Sequence, residues 1–115
     1  MSPRTHAVLT AGALLWATSL LAVSRANPAA PLQTAVTIDN FSFKAPELTV
    51  AAGTRVTWTN RDDIPHTVTA DSSPPAYRSH PLDTGDSFST VFAKPGTYRY
   101  FCSLHPKMRG TVIVQ

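Results

Sequence analysis

Apolar residues recur at every second position in several short runs of this chain. Val36 and Ile38 alternate with polar neighbours, Leu48 and Val50 repeat the pattern, and Thr54–Thr59 places Val56 and Trp58 on one face. His66–Ala70 alternates again. Phe88, Thr90 and Phe92 share one face of Ser87–Phe92, Tyr98, Tyr100 and Cys102 one side of Thr97–Cys102, and Thr111–Val114 closes the chain. A period of two is the signature of strands with one buried face. Helical periodicity is absent over any useful length, and no internal repeat is visible. Punctuation agrees with this: Ala52-Gly53 and Lys94-Pro95-Gly96 read as turns, and Asp71-Ser72-Ser73-Pro74-Pro75 stops regular structure. Seven or eight short strands predict an all-β fold, an antiparallel sandwich whose strand-end loops gather at two poles.

The one long apolar stretch that lacks this alternation is Ala7–Val23, which follows Arg4 and His6 and precedes the small-residue flank Ser24-Arg25-Ala26. That layout predicts a secretory signal over residues 1–26, cleaved near Ala26. The apolar run is marginal for spanning the ~30 Å of bilayer hydrocarbon, so no stable membrane insertion is expected after cleavage. No twin-Arg pair is present, and export of the unfolded chain is the expected route. Residues 27–33, rich in Pro and Ala at their start, read as a short linker, and residues 34–115 as one domain. Removing 26 residues from 115 leaves 89, enough for one small core and too few for two.

The leader changes the charge balance. The whole chain carries 10 Lys and Arg against 7 Asp and Glu; without Arg4 and Arg25 it is 8 against 7, a net charge of +1. Nucleic-acid binding thereby loses its electrostatic basis.

A single Cys in an exported chain is free, paired between chains, or bound to metal. Here it opens the run Cys102-Ser103-Leu104-His105-Pro106-Lys107-Met108, with a thiol, an imidazole and a thioether at three-residue intervals. Cys, two His and a weak axial Met form the ligand set of blue-copper electron-transfer sites. His66, ending the segment Asn60–His66 after a predicted strand, is the natural source of the second imidazole. Copper is therefore the expected cofactor, with Cys102 as thiolate, His66 and His105 in a trigonal plane, and Met108 as long axial ligand. Pro65 and Pro106 stand beside the two His and restrict their loops. His80, in a Pro-rich connection, is left out of the site. Other readings stay open at this point: an inert packed Cys, a thiol hydrolase built on Cys102 and His105 that lacks a visible orienting third residue, and a zinc site for which Met108 is a poor fourth ligand.

With these residues in place the chain resembles the cupredoxins, and the short Cys-x-x-His-x-x-Met loop is most similar to that of the amicyanins. The similarity extends through Val56–Arg61 before Pro65-His66, Phe92 to Tyr98, and Met108–Val114. It implies an eight-stranded Greek-key sandwich holding one type 1 copper, and a small, monomeric periplasmic electron carrier without enzymatic turnover. A cytochrome c or a periplasmic dehydrogenase is the implied kind of redox partner, with copper handling as the alternative role. The resemblance also implies that His105 is the electron port in an apolar patch, and that this His protonates on reduction in short-loop relatives. Thr67 replaces the Asn that ties the ligand-bearing loops in relatives, and bonds through its hydroxyl with fewer donors. Lys107 stands where the amicyanins have an aromatic residue. His105, Pro106, Lys107 and Arg109 are the expected docking residues, the two cations steering an acidic patch on the partner.

Overall fold

The computed structural model describes residues 1–7, 12–18 and 32–115. The cleavage site near Ala26 and most of the predicted linker lie outside the described residues, as do residues 8–11 and 19–26 of the predicted leader. Among the described residues no helix is long and apolar enough to cross a membrane.

Eight strands follow in order: β1 (Gln33–Asp39), β2 (Ser42–Lys44), β3 (Glu47–Val50), β4 (Thr54–Asn60), β5 (Thr69–Ala70), β6 (Ser87–Phe92), β7 (Gly96–Phe101) and β8 (Arg109–Val114). They form two four-stranded sheets, ordered β2-β1-β4-β6 and β3-β8-β7-β5. Two of the pairings, β1 with β4 and β3 with β8, are parallel, so the sheets are mixed where an antiparallel sandwich was expected. Alternation reports which residues face inward; it carries no information on which strand lies alongside or in what direction.

The inward positions meet between the sheets. Val36, Ile38, Phe43, Val56 and Trp58 from one sheet and Val50, Tyr100, Val112 and Val114 from the other are all buried. The Tyr100 ring sits across the sandwich from Trp58 at 5.2 Å and from Phe43 at 4.7 Å, both edge-on, the arrangement that ring quadrupoles favour. On the outer face of the first sheet, Thr57 pairs with Ser89 and Thr59 with Ser87 through their hydroxyls, each at 2.7 Å. Tyr100 is opposite Gly110 in the β7–β8 ladder. A Cβ on Gly110 would overlap the Tyr100 ring, which explains a glycine in the middle of a strand.

Three local differences from the sequence reading bear on the site. The three-residue β2 is too short to show a period, and only Phe43 marks it. The strand expected over His66–Ala70 shrinks to Thr69–Ala70, because the segment before it pairs with an irregular loop: His66 and Leu82 exchange backbone hydrogen bonds of 3.1 and 2.7 Å, and Ser79 N–H donates to Val68 O at 2.8 Å. Cys102 leaves the β7 ladder, and its N–H donates to Met108 O at 3.1 Å.

Candidate metal centre

Two loops meet at one pole, and each is shaped by its own hydrogen bonds before it meets the other. Buried Asn60, at the end of β4, donates from Nδ2 to Ile64 O and Leu82 O, both at 2.8 Å, while its Oδ1 accepts the Asp62 N–H at 2.9 Å. Every polar atom of that side chain is satisfied, and the turn that delivers His66 is fixed as a result. The second loop, between β7 and β8, closes on itself: His105 N–H donates to Cys102 O at 3.2 Å and Met108 N–H to His105 O at 2.8 Å. The three-residue spacing seen in the sequence is thus a series of tight turns.

These loops bring His66, Cys102 and His105 into one cluster whose ligand atoms all lie within 4.8 Å of one another. Cys102 Sγ is 3.8 Å from His66 Nδ1 and 3.7 Å from His105 Nδ1. Ligand bonds of about 2.0–2.3 Å place neighbouring donor atoms at about such separations around a shared ion. His66 and Cys102 are fully buried, and Met108 is buried beside them, bordering the same surface cavity as His105. His80 is exposed and stands apart from the cluster.

His66 has its second nitrogen committed elsewhere. Nε2 lies 2.7 Å from Asp62 Oδ2, so it carries the proton toward the carboxylate and leaves Nδ1 as the free lone pair facing the sulfur. The same carboxylate accepts the N–H groups of Asn40 at 2.6 Å and Phe41 at 2.9 Å. Partial burial pushes the Asp62 pKa up, but the hydrogen bonds from Phe41, His66 and Asn40 outweigh it and hold the carboxyl below its ordinary value. Asn40 and Phe41 both have positive φ, 49° and 53°. For Phe that is an uncommon conformation needing local support, and Asp62 supplies it.

Held in this way, the exposed Phe41 ring stands edge-on to both imidazoles, 5.6 Å from His66 and 5.2 Å from His105. Phe41, Asp62 and Asn60 are the residues shaping this cluster that the sequence reading did not place at the site. Asn60 falls within the Val56–Arg61 stretch of the resemblance and Asp62 stands four residues before His66, while nothing along the sequence marks Phe41.

Thr67 performs the tying role with a hydroxyl. Its N–H donates to Cys102 Sγ at 3.3 Å, and its Oγ1 accepts the Ser103 N–H at 2.7 Å, linking the two loops directly. Pro65 and Pro106 are exposed beside the two His. Pro106 joins Phe41, Leu104, Lys107 and Met108 around the cavity next to His105. Lys107 is exposed there without a carboxylate partner among the described residues, whereas Arg109 lies 3.4 Å from Asp71 and 5.7 Å from the Phe101 ring centroid. Lys44 shares a second groove with both of them.

The family profile of the cupredoxin-like domain matches residues 9–114. Amicyanin-alpha from Methylorubrum extorquens is 39% identical over 112 residues, covering 95% of this chain and 92% of that protein. Among solved structures, a novel purple cupredoxin from Nitrosopumilus maritimus superposes with a TM-score of 0.67 at 34% identity, covering 71% of this chain and 99% of the other. A methionine-to-alanine variant of amicyanin in its Cu(I) form gives a TM-score of 0.68 at 32% identity, covering 72% and 82%.

Proposed function

The chain belongs to the cupredoxin-like family, and from that premise we propose that it is a small periplasmic type 1 copper protein that carries single electrons between redox partners. The observation that carries the reading is the convergence of one thiol sulfur and two imidazole Nδ1 atoms, with His66 Nε2 already bonded to Asp62. Soft sulfur and imidazole donors suit copper. His66, Cys102, His105 and Met108 would hold the ion. When bound, copper supplies a one-electron couple between its two oxidation states.

The protein's own part is to resist rearrangement. Asn60 fixes one ligand loop, the backbone bonds among Cys102, His105 and Met108 fix the other, and Thr67 joins them. A site held this way changes little between the two states, so little energy is spent on reorganisation at each transfer. His105 is partly exposed among Phe41, Leu104 and Pro106, an apolar port through which a partner approaches closely. Lys107 at its rim, with Lys44 nearby, favours an acidic patch on the partner, a cytochrome c or a periplasmic dehydrogenase. Arg109 contributes less to this field than its formal charge, because Asp71 offsets it. Full burial of Cys102 speaks against a thiol hydrolase, whose nucleophile must reach substrate. Residues 1–26 act as the export signal in this reading, 27–33 as linker and 34–115 as the copper domain; N-terminal sequencing of the protein from the cell envelope tests the cleavage near Ala26.

The deciding experiment is a copper titration of the metal-free protein. An intense blue thiolate-to-copper band that bleaches reversibly on reduction, and that is lost in Cys102→Ser, is the expected result. A colourless copper complex would favour a copper-handling role instead, and zinc binding without copper uptake would defeat both.

A further inference from the structure

Thr67 Oγ1 has more neighbours than it has bonds to give. A hydroxyl offers one proton and two lone pairs. Ser103 N–H occupies one lone pair at 2.7 Å. One lone pair and one proton remain for three atoms: Ser103 Oγ at 2.8 Å, Thr69 Oγ1 at 3.2 Å and Cys102 Sγ at 3.9 Å. Cys102 is fully buried, so its sulfur depends on protein donors, whereas Thr67 and Thr69 border a surface groove that exposed Ser103 also lines, and Ser103 has solvent as an alternative partner. Thr69 has no other side-chain hydrogen bond among the described residues.

We propose that Thr69 and Ser103 are positioning residues for the Cys102 sulfur, acting by competing with it for the single hydroxyl proton of Thr67. Two proton arrangements exist. In one, either Ser103 or Thr69 donates to Thr67, and Thr67 donates to the sulfur. In the other, Thr67 donates to one of the two hydroxyls, and the sulfur keeps only the Thr67 N–H at 3.3 Å. Sulfur carries more negative charge in the reduced site, so the first arrangement stabilises the reduced state and raises the reduction potential. The hydroxyl chain therefore sets the potential as well as tying the loops. This inference rests on the copper reading above.

The test measures midpoint potential and the energy of the thiolate-to-copper band in copper-loaded protein, with urea unfolding of the metal-free form as a structural control. Thr67→Val removes the proton and lowers the potential. Thr67→Ser restores it. Thr69→Val combined with Ser103→Ala removes both competing acceptors, sends the proton to the sulfur and raises the potential above that of the unsubstituted protein. Each displacement is expected to be about tenfold in the redox equilibrium constant, about 59 mV for one electron. A purely structural chain would lower stability in all these hydroxyl-deleting variants and move their potentials in the same direction. A potential for the double variant at or below the unsubstituted value overturns the inference. Absence of the blue band before any substitution overturns the copper reading itself, and is seen independently of these variants.

Discussion

Asp62→Ala removes three hydrogen bonds at once and is the sharpest probe of how the site is held. The carboxylate accepts from Asn40 N–H at 2.6 Å, His66 Nε2 at 2.7 Å and Phe41 N–H at 2.9 Å, and the residue is only 9% exposed. Hydrogen bonds to a charged acceptor contribute about 1.5–3 kcal/mol each, and a buried donor left without a partner costs about 1–3 kcal/mol. Asn40 and Phe41 are exposed, so water replaces much of what their N–H groups lose; fully buried His66 has no such recourse. The expected destabilisation is therefore about 3 kcal/mol, dominated by the orphaned imidazole and the released turn.

In a domain of this size each kcal/mol is worth about 4–8 °C in melting temperature, which predicts a fall of about 12–24 °C. Thermal unfolding of the metal-free protein followed by circular dichroism measures that fall, and urea unfolding the free energy, without the added stabilisation of bound copper. The pH dependence supplies a second check. Because the folded-state pKa of Asp62 is depressed, its contribution is present in full above the unfolded-state pKa and is lost as pH falls through the folded-state value. Asp62→Ala should therefore flatten the acid limb of the stability profile. A variant within about 0.5 kcal/mol of the original, the ordinary range for a surface substitution, with an unchanged acid limb would refute the idea that this carboxylate anchors the site.

Two further outcomes follow from the packing and the rim. Gly110→Ala forces its methyl group into the Tyr100 ring; overpacking of this kind costs about 1–3 kcal/mol, and because Tyr100 lies two residues before Cys102 the copper band should shift as well, whereas a fully stable variant with an unchanged spectrum would show that the ring has room to move. Reduction of the copper protein by hexacyanoferrate(II), a small anionic donor, should slow as ionic strength rises, and Lys107→Glu should lower the rate at low salt and reverse that slope; a profile flat in both proteins would remove the steering role of Lys107.

Much of the site was visible as residue types at fixed intervals. Cys102, His105 and Met108 lie in one seven-residue loop, where local chain geometry allows few arrangements, and the burial of Val36, Ile38, Val56 and Trp58 follows from alternation alone. Thr67 was also recognisable as the residue bonding through its hydroxyl. What sequence position hides are atoms brought close from distant segments. Asp62 meets Asn40 and Phe41 across 22 and 21 residues, and Thr67 meets Ser103 across 36.

The sequence by itself determined the kind of fold, the chemistry of the candidate ligands and their short loop, because each depends on periodicity or on neighbours along the chain. Tertiary structure decided the rest: the parallel pairing of β1 with β4 and of β3 with β8, the Asp62 anchor, the Phe41 ring against both imidazoles, and the contest for one hydroxyl proton beside the sulfur. Each is a contact between segments that no local pattern links. Such contacts form only when two sheets close on a shared core and leave their loops at one pole.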